Sequence, residues 1–344
     1  MRMNEMLKVG FVGCGTHSTN NLYPMLKYSR CRLVAVCDAD ENLARRNAGV
    51  FGAGDAFYTD ADRMLDDCEL DGVFVVGPAA MHYEVGRKVL ARGIPLFAEK
   101  PPAPTLSQAE ELVSLAREHD TIFMVGFMKR HGLTYKKARE MMTDGSFEPA
   151  AGFFKYGHWP MTDLNNMLLG MCSHPIDLAI SFFGDVAEVS STLSRDARNS
   201  ISLAVTLRFQ SGKWAQLMLD ASQPRIQERV EISGVCNGGN ALLVVDNVDH
   251  MEFHRQGQRG IDVLVPLPDI NPQFDLADIQ MWRPDYGIPN MGQTRHFIQG
   301  FAGEVREFAD AILEKREPYP SGAESLKTMR VIAEILQQQT IETK

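Results

Sequence analysis

A charged pair, Glu99-Lys100, ends a short apolar run and is followed at once by Pro101. Because proline cannot continue the hydrogen-bond ladder of a central strand, Pro101 predicts that a strand stops here with the lysine at its end. A lysine in that position can exchange a proton or stabilise a developing negative charge. Taken alone, the tripeptide is also typical of a solvated strand end before a turn, so its surroundings decide its meaning.

A glycine turn near the start of the chain supplies those surroundings. Gly13 allows a tight turn after an apolar strand, and Gly15 lets the backbone approach a pyrophosphate. Ser18 stands where the strict pattern has a third glycine. The free amides and dipole of a following helix attract negative charge, so we expect Thr16 and His17 to contact a dinucleotide together with these three residues.

An acid follows the second apolar run, at the distance that dinucleotide-binding sequences use. Asp38 ends the run 32–38, and a carboxylate there can accept hydrogen bonds from the adenosine ribose hydroxyls. The same charge repels a 2′-phosphate, so Asp38 favours NAD. Arg45 and Arg46 on the next predicted helix leave NADP possible. The simpler alternative is that Asp38 is a turn residue.

Composition restricts the class of protein. The chain has 344 residues, a net charge of −9 and 44% hydrophobic residues, which favours two domains with substantial cores. An acidic chain without a basic stripe argues against nucleic acid or an anionic membrane surface as the partner. No run approaches the ~20 apolar residues of a membrane-spanning helix.

The N-terminus and the cysteines indicate the compartment. Residues 1–7 are short and polar, without the apolar centre of a signal peptide, so we expect a cytoplasmic protein. Six scattered cysteines without a close pair are typical of reduced thiols. The nine histidines show no defensible ligand spacing, so we predict no metal.

The order of predicted elements gives an α/β fold. Strands and helices alternate from residue 7 to about 126, which predicts a Rossmann-type, doubly wound parallel sheet over residues 1–127. Ligands bind such sheets at the carboxyl ends of the strands. One crevice should therefore collect the candidate residues that end successive strands, namely Gly13, Asp38, Gly77, Pro78, Glu99, Lys100 and Gly126.

The remainder, residues 128–344, reads as an α+β domain on a large, mostly antiparallel sheet. Strand-like runs follow one another from about 150 to 255 with few helices between them, and residues 262–300 read as loops. Closing helices near 301–315 and 322–339 are expected to pack back towards the first domain. One face of the sheet needs cover, and a subunit partner commonly supplies it, so we expect a homodimer or homotetramer.

With these residues in place, the chain resembles the glucose-fructose oxidoreductase, inositol dehydrogenase and rhizopine catabolism (Gfo/Idh/MocA) family over nearly its whole length. Four motifs support this resemblance. They are the glycine turn with Asp38, the Gly77-Pro78 segment with His82, the Glu99-Lys100-Pro101 tripeptide, and residues 170–177, Gly-Met-Cys-Ser-His-Pro-Ile-Asp.

The resemblance implies hydride exchange between a nicotinamide and a sugar, a cyclic polyol or a sugar derivative. In this family the lysine that matches Lys100 lies beside the nicotinamide and the substrate hydroxyl, and the histidine that matches His174 contacts substrate and exchanges a proton. Further cofactor contacts implied in this way are Gly77, Pro78, His82, Glu99 and Arg130. Further substrate contacts implied in this way are Tyr156, His158, Trp159 and Asn165.

One departure from the family pattern concerns the histidine. Many sugar and inositol dehydrogenases of the family have an aspartate four residues before it, where this chain has Gly170. Without that carboxylate, His174 could be oriented by another group such as Asp163, or could only bind substrate and leave proton transfer to Lys100. A redox-neutral sugar conversion that uses NAD transiently, and a catalytically silent sensor, therefore stay open, as does a purely structural role for His174.

Overall fold

The computed structural model describes residues 6–256, 278–285, 287 and 290–342. Its first half is a six-stranded sheet in the order β3-β2-β1-β4-β5-β6, with every neighbouring pair parallel. The strands are β1 Leu7–Val12, β2 Cys31–Cys37, β3 Phe57–Tyr58, β4 Gly72–Val75, β5 Leu96–Glu99 and β6 Phe123–Gly126. The predicted doubly wound parallel sheet is confirmed.

Helices connect these strands and cover the sheet, as right-handed parallel crossovers require. A wide helical turn over Ser18–Leu22 precedes the first of them. The helices are α1 Tyr23–Leu26, α2 Glu41–Phe51, α3 Ala61–Asp67, α4 Ala79–Leu90 and α5 Leu106–Glu118. All four residues in each of β4, β5 and β6 are buried. Strands β4 and β5 are central and covered on both faces, whereas the edge strand β6 bridges from Met124 to Ser321.

The second half is built on an eight-stranded sheet in the order β14-β13-β12-β11-β7-β10-β9-β8. Only the β7–β10 pair is parallel, so the sheet is mostly antiparallel as predicted. The strands are β7 Glu148–Gly157, β8 Val186–Arg195, β9 Ile201–Phe209, β10 Trp214–Asp220, β11 Gln227–Cys236, β12 Gly239–Asp246, β13 His250–Arg255 and β14 Asp278–Trp282.

The helices of this half lie on one face of the sheet or return to the first half. Short 3-10 turns at Met128–His131 and Met291–Gln293 and a wide turn at Leu168–Cys172 join them. The helices are α6 Leu133–Thr143, α7 Leu164–Met167, α8 Ser173–Phe183, α9 Arg295–Ile298, α10 Phe301–Glu314 and α11 Gly322–Glu342. The opposite face of the sheet exposes Trp214 (47%) and Met218 (39%) from β10.

Helix α10 packs against the parallel sheet, far from its own place in the sequence. The ring of Phe308 makes edge contacts with Phe74 of β4 (centroids 5.0 Å apart) and Phe97 of β5 (5.8 Å). Burial of such aromatic groups is among the larger sources of stabilisation in a core. Helix α10, which belongs to the second half by sequence, is therefore part of the core of the first half.

Two sequence predictions were wrong in this half. Helix α8 was absent from the predicted elements, because nine of its eleven residues are buried and it lacks the polar stripe that marks an amphipathic helix. Strand β14 falls inside the predicted loop 262–300; its first four residues alternate polar and apolar, but this run is short and stands among the prolines and glycines that indicate loops. Residues 262–277 of that predicted loop lie outside the described residues.

A search of the helices in the described part of the chain finds none that combines the length and the hydropathy needed to cross a membrane.

Candidate active site

The glycine turn follows β1 and is shaped by the backbone of β4. Gly13 has a φ of +105°, and a Cβ there would lie 2.0 Å from the carbonyl oxygen of Val76. Only glycine fits that position. A Cβ on Gly15 would meet no protein atom within 4 Å, so the space beside its backbone is open to a ligand. These are the two roles that the sequence predicts for the two glycines.

The side chains around the turn hold its shape. Ser18 is buried and its hydroxyl donates to the Gly15 carbonyl at 2.9 Å. Asp38 lies directly beyond β2, and its carboxylate accepts from the backbone N–H groups of Cys14 (2.6 Å) and Asp40 (2.9 Å). An anion fixed beside the turn stands where an adenosine ribose is held in dinucleotide-binding folds.

A cleft of about 510 Å³ begins at this turn and runs past the ends of β4 and β5. It brings together predicted residues from both halves of the chain. The described residues that line it are Gly15, Thr16, His17, Ser18, Val76, Gly77, Glu99, Lys100, Met128, Met171, His174 and Phe301. The glycine turn, the lysine and the histidine therefore face one space.

Lys100 projects from the end of β5 towards the second half. Its Nζ donates to the carbonyl oxygen of Gly170 at 2.9 Å. Burial lowers the pKa of Lys100 below its usual value, although the nearby carboxyl groups of Glu99 and Glu304 oppose this shift. A backbone carbonyl thus holds the ammonium at the position where the family pattern has an aspartate.

His174 lies in the first turn of α8 and is buried. Its Nδ1 has no hydrogen-bond partner among the described residues. Burial lowers the pKa of His174 well below its usual value, and the charges of Lys100 and Lys129 lower it further. The imidazole is therefore neutral at physiological pH.

Glu99 connects the lysine to the glycine turn. Its Oε1 accepts a hydrogen bond from His17 Nε2 at 3.2 Å, and its Oε2 accepts from the backbone N–H of Lys100 at 2.8 Å. Burial alone would raise the pKa of Glu99, but the hydrogen bond from His17 and the charge of Lys100 outweigh it and lower the pKa. Glu99 is thus an anion at the inner wall of the cleft.

His82 connects two backbone segments of the site, at Gly77 and at Pro101. Its Nε2 accepts from the Gly77 backbone N–H at 2.9 Å, and its Nδ1–H donates to the Pro101 carbonyl at 2.8 Å. Both ring nitrogens are occupied by backbone groups. His82 and Pro78, which precedes α4, are not among the described residues that line the cleft. His82 fixes the turn and the tripeptide relative to each other.

Arg130, which the resemblance places near the cofactor, is instead completely buried in an ion pair. Its Nε and one terminal nitrogen donate to the two carboxylate oxygens of Asp177, both at 2.8 Å. Its guanidinium also lies 4.9 Å from the ring centre of Tyr319. Because these partners use its donors, Arg130 joins the 3-10 turn after β6 to α8 rather than lining the cleft.

A second cavity of about 550 Å³ opens from the first, since Met128, Met171 and His174 line both. Of the substrate contacts that the resemblance implies, Tyr156 lines this cavity. His158, Trp159 and Asn165 are not among its described lining residues. Trp159 is 54% exposed and its ring lies 4.2 Å from that of His158.

Sequence reasoning missed a buried ion pair on the wall of the second cavity. Lys129 Nζ and the hydroxyl of Tyr135 both donate to the carboxylate of Glu228. Burial lowers the pKa of Lys129 to about 7, and repulsion by Lys100 contributes. A signal was present, because Glu228 shares the buried face of β11 with Val230 and Ile232. An acid in phase with apolar residues indicates a buried partner.

The remaining missed residues come from segments that connect the strands of the second sheet and precede α10. They carry charged and amide side chains without a recognisable motif. Those described as lining the second cavity are Arg225, Gln227, Asn247, Asp249, Arg295 and Gln299. No local pattern could have found them, because they are brought together only by the pairing of distant strands.

Comparisons with known proteins agree with this geometry. Residues 7–127 match the Gfo/Idh/MocA oxidoreductase family, NAD-binding Rossmann fold, and residues 153–343 match the C-terminal alpha/beta domain of the same family. D-apiose dehydrogenase from Paraburkholderia graminis is 26% identical over 349 residues, covering 95% of this chain and 86% of that protein. Inositol 2-dehydrogenase from Arthrobacter sp. is 29% identical over 208 residues, covering 58% of this chain and 60% of that protein.

A solved structure agrees over the full length. The crystal structure of a dehydrogenase from Chromobacterium violaceum superposes with a TM-score of 0.85 at 27% identity, covering 98% of this chain and 97% of that chain. The two chains thus share one fold over nearly their whole length. The chain belongs to the Gfo/Idh/MocA family and is an NAD-binding oxidoreductase.

Proposed function

We propose that this protein transfers a hydride between NAD and a secondary alcohol or carbonyl of a sugar, a cyclic polyol or a sugar derivative. The observation that carries the proposal is that Lys100 and His174 face the same cleft as the glycine turn. The names of two relatives, an apiose dehydrogenase and an inositol dehydrogenase, support the substrate class. NADP remains the alternative cofactor, with Arg46 beside the turn.

The residues present fit NAD. The open side of Gly15 leaves room for a pyrophosphate, and Asp38 offers an anion to the ribose. When bound, the nicotinamide supplies a hydride acceptor or donor at its C4. Glu99 and Lys100 line the same cleft as Gly15.

In the oxidation direction, the substrate hydroxyl must lose its proton as the carbon loses hydride. Lys100 is the proposed proton acceptor, because burial favours its neutral amine and the Gly170 carbonyl holds its Nζ in place. The ammonium that forms is stabilised by the anion Glu99. In the reverse direction this ammonium returns the proton to the developing alkoxide.

His174 has a supporting role in this proposal. Its neutral ring lines the cleft and can accept a hydrogen bond from a substrate hydroxyl. The depressed pKa makes the imidazole a weak proton acceptor, so it orients the hydroxyl for Lys100. The glycine at position 170, where the family pattern has an aspartate, is consistent with these roles. A histidine that only orients the substrate needs no carboxylate to raise its basicity.

The test is formation of reduced nicotinamide, followed by its absorbance, when the protein and NAD or NADP are mixed with cyclic polyols, aldoses, sugar acids and glycosides. The proposal predicts absorbance with at least one of these classes. Bound NAD without net reduction, accompanied by release of free sugar from a glycoside, would support the redox-neutral alternative. A protein that binds no dinucleotide would contradict both.

We also propose that the uncovered face of the second sheet forms a subunit interface. Trp214 and Met218 point from alternate positions of β10 to this face and are exposed. An exposed aromatic and a long apolar side chain on a flat sheet are typical of an interaction surface. Light scattering should give a dimer or tetramer, and Trp214→Glu with Met218→Glu should reduce the mass; a wild-type monomer would contradict this proposal.

A further inference from the structure

The second cavity extends the reaction cleft away from the cofactor side. His174, Met128 and Met171 line both cavities. A substrate whose reacting hydroxyl lies between Lys100 and His174 must therefore place the rest of its skeleton in the second cavity. The volume of about 550 Å³ is in the range of small-molecule sites and accommodates a monosaccharide with a substituent.

Two of the charged residues that line this cavity, Lys129 and Glu228, neutralise each other. Glu228 accepts hydrogen bonds from Lys129 and Tyr135, and its backbone N–H donates to the Asn247 side-chain oxygen at 3.1 Å. An ion pair saturated in this way offers little charge to a ligand. The charge that a substrate meets is therefore set by the other charged residues of the lining.

Those residues are two exposed arginines and one acid, namely Arg225, Arg295 and Asp249. Neither guanidinium has a hydrogen bond or ion pair with another residue in the described part of the chain. Arg225 precedes β11, whereas Arg295 begins α9, so they approach the cavity from separate segments. This part of the lining thus carries an excess of positive charge in a chain whose net charge is −9.

Guanidinium groups bind carboxylate and phosphate through two parallel hydrogen bonds, which makes an unpaired arginine at a cavity a selective anion site. Neutral sugar hydroxyls do not require two such groups, because amides suffice for them. Gln227 and Gln299 supply amides to the same cavity. The combination suits a ligand with hydroxyl groups and one anionic group.

We propose that the substrate is an anionic sugar or polyol, whose carboxylate or phosphate is bound by Arg225 and Arg295 while its reacting hydroxyl lies at Lys100 and His174. This inference rests on the proposed function and names its substrate class. The two arginines determine specificity by binding the anionic group of the substrate.

The test is calorimetric titration of the NAD-loaded protein with matched sugars in the gluco, galacto and manno series. Each series contains the neutral hexose, its hexuronate and its 6-phosphate, so that carboxylate and phosphate are separated. At least one anionic member should bind about tenfold or more tightly than its neutral parent, with an affinity that falls as salt is added.

Variants of the two arginines test whether they cause the preference for anionic sugars. Arg225→Gln combined with Arg295→Gln should reduce the ratio of anionic to neutral affinity towards one, whereas the corresponding lysine variants should retain part of it. Arg198→Gln is the matched control, because Arg198 is an exposed arginine on a turn outside the cavity. Thermal unfolding of each variant checks that the fold is intact.

The outcomes separate the two proposals. Neutral hexoses that bind as tightly as every anionic partner, or an anion preference that survives in the double glutamine variant, would overturn the anionic substrate and leave the dehydrogenase. A protein that binds NAD but no sugar of either kind would overturn the proposed function and this inference with it.

Discussion

At the scale of single residues, the proposed role of Lys100 depends on the burial that lowers the pKa of its amine. Its Nζ bonds to the carbonyl of Gly170, a position where a Cβ would meet no protein atom within 4 Å. The space for a side chain is therefore present, although the chain does not use it. This makes Gly170 a position where charge can be added without displacing other groups.

Gly170→Asp should move the pH dependence of oxidation upwards. Because Lys100 must be neutral to accept a proton, kcat/KM rises with pH through the pKa of Lys100, which burial lowers from 10.5. A carboxylate beside the amine favours the ammonium, so the midpoint should rise by about one pH unit or more. The pH profile of kcat/KM is the measurement, with Gly170→Asn as the uncharged control; an equal shift in both variants would contradict this explanation.

Glu304 is a second buried group at the site, and neither carboxylate oxygen has a described hydrogen-bond partner. Burial raises the pKa of Glu304 well above its usual value of 4.5, with repulsion from Glu99 adding to it and Lys100 opposing it. The folded protein thus retains a proton that the unfolded chain loses above pH 4.5. Stability due to this group is present below that pH and falls as pH rises towards the raised pKa.

Glu304→Gln should therefore stabilise the protein at pH 8 but hardly at pH 4, by about 1.4 kcal/mol for each unit of pKa shift that it removes. Chemical unfolding at both pH values measures this difference. Glu334→Gln, an exposed glutamate of α11, is the control and should show no such dependence. A Glu304→Gln variant that is less stable at pH 8 would mean that the carboxyl is ionised and paired with Lys100.

At the scale of elements, the turn between β1 and α1 contains two glycines with different requirements. Gly13→Ala should destabilise the fold by at least about 1–3 kcal/mol, because its φ is positive and the new Cβ would collide with the Val76 carbonyl. Gly15→Ala meets no atom and should leave the melting temperature unchanged.

The two alanine variants distinguish an effect on folding from an effect on cofactor binding. Gly15→Ala should weaken NAD binding about tenfold, a change of about 1.4 kcal/mol, because the added methyl group occupies the space expected for the pyrophosphate. Thermal unfolding and NAD titration of both variants provide the comparison. An unchanged NAD affinity in Gly15→Ala would place the pyrophosphate elsewhere.

The elements also show what could be predicted from the sequence. Periodicity and turn residues located the parallel sheet and the residues at its carboxyl edge, because strand ends in such a sheet must meet. Helix α8 was not predicted since nine of its eleven residues are buried and it has no exposed polar stripe, and Arg225 and Arg295 were not predicted because no motif surrounds them. Arg130 was placed in the cleft by resemblance, whereas its partner Asp177 is 47 residues away in sequence.

At the scale of the whole molecule, Arg130 and Asp177 join the 3-10 turn after the parallel sheet to helix α8. Both are fully buried, and Thr328 of α11 donates a further hydrogen bond to Asp177 at 3.2 Å. Breaking a buried pair leaves an uncompensated charge, which typically costs about 3–5 kcal/mol. The position of His174, three residues before Asp177 on α8, depends on the same contact.

Asp177→Asn should therefore lower the free energy of unfolding by about 3–5 kcal/mol. Denaturant unfolding measures it. Glu188→Gln is the control, since it breaks an exposed pair with Arg208 and should cost about 1 kcal/mol or less. Similar costs in the two variants would mean that the buried pair stabilises the fold no more than an exposed pair does.

The most direct test of the central claim is the rate of NADH formation by Lys100→Met with the substrate that the wild-type protein oxidises. Methionine fills a similar volume but cannot accept a proton. We expect the variant to lose about 10²- to 10⁴-fold in kcat, the usual contribution of a positioned acid or base. A variant that forms NADH at the wild-type rate would contradict the assignment of Lys100.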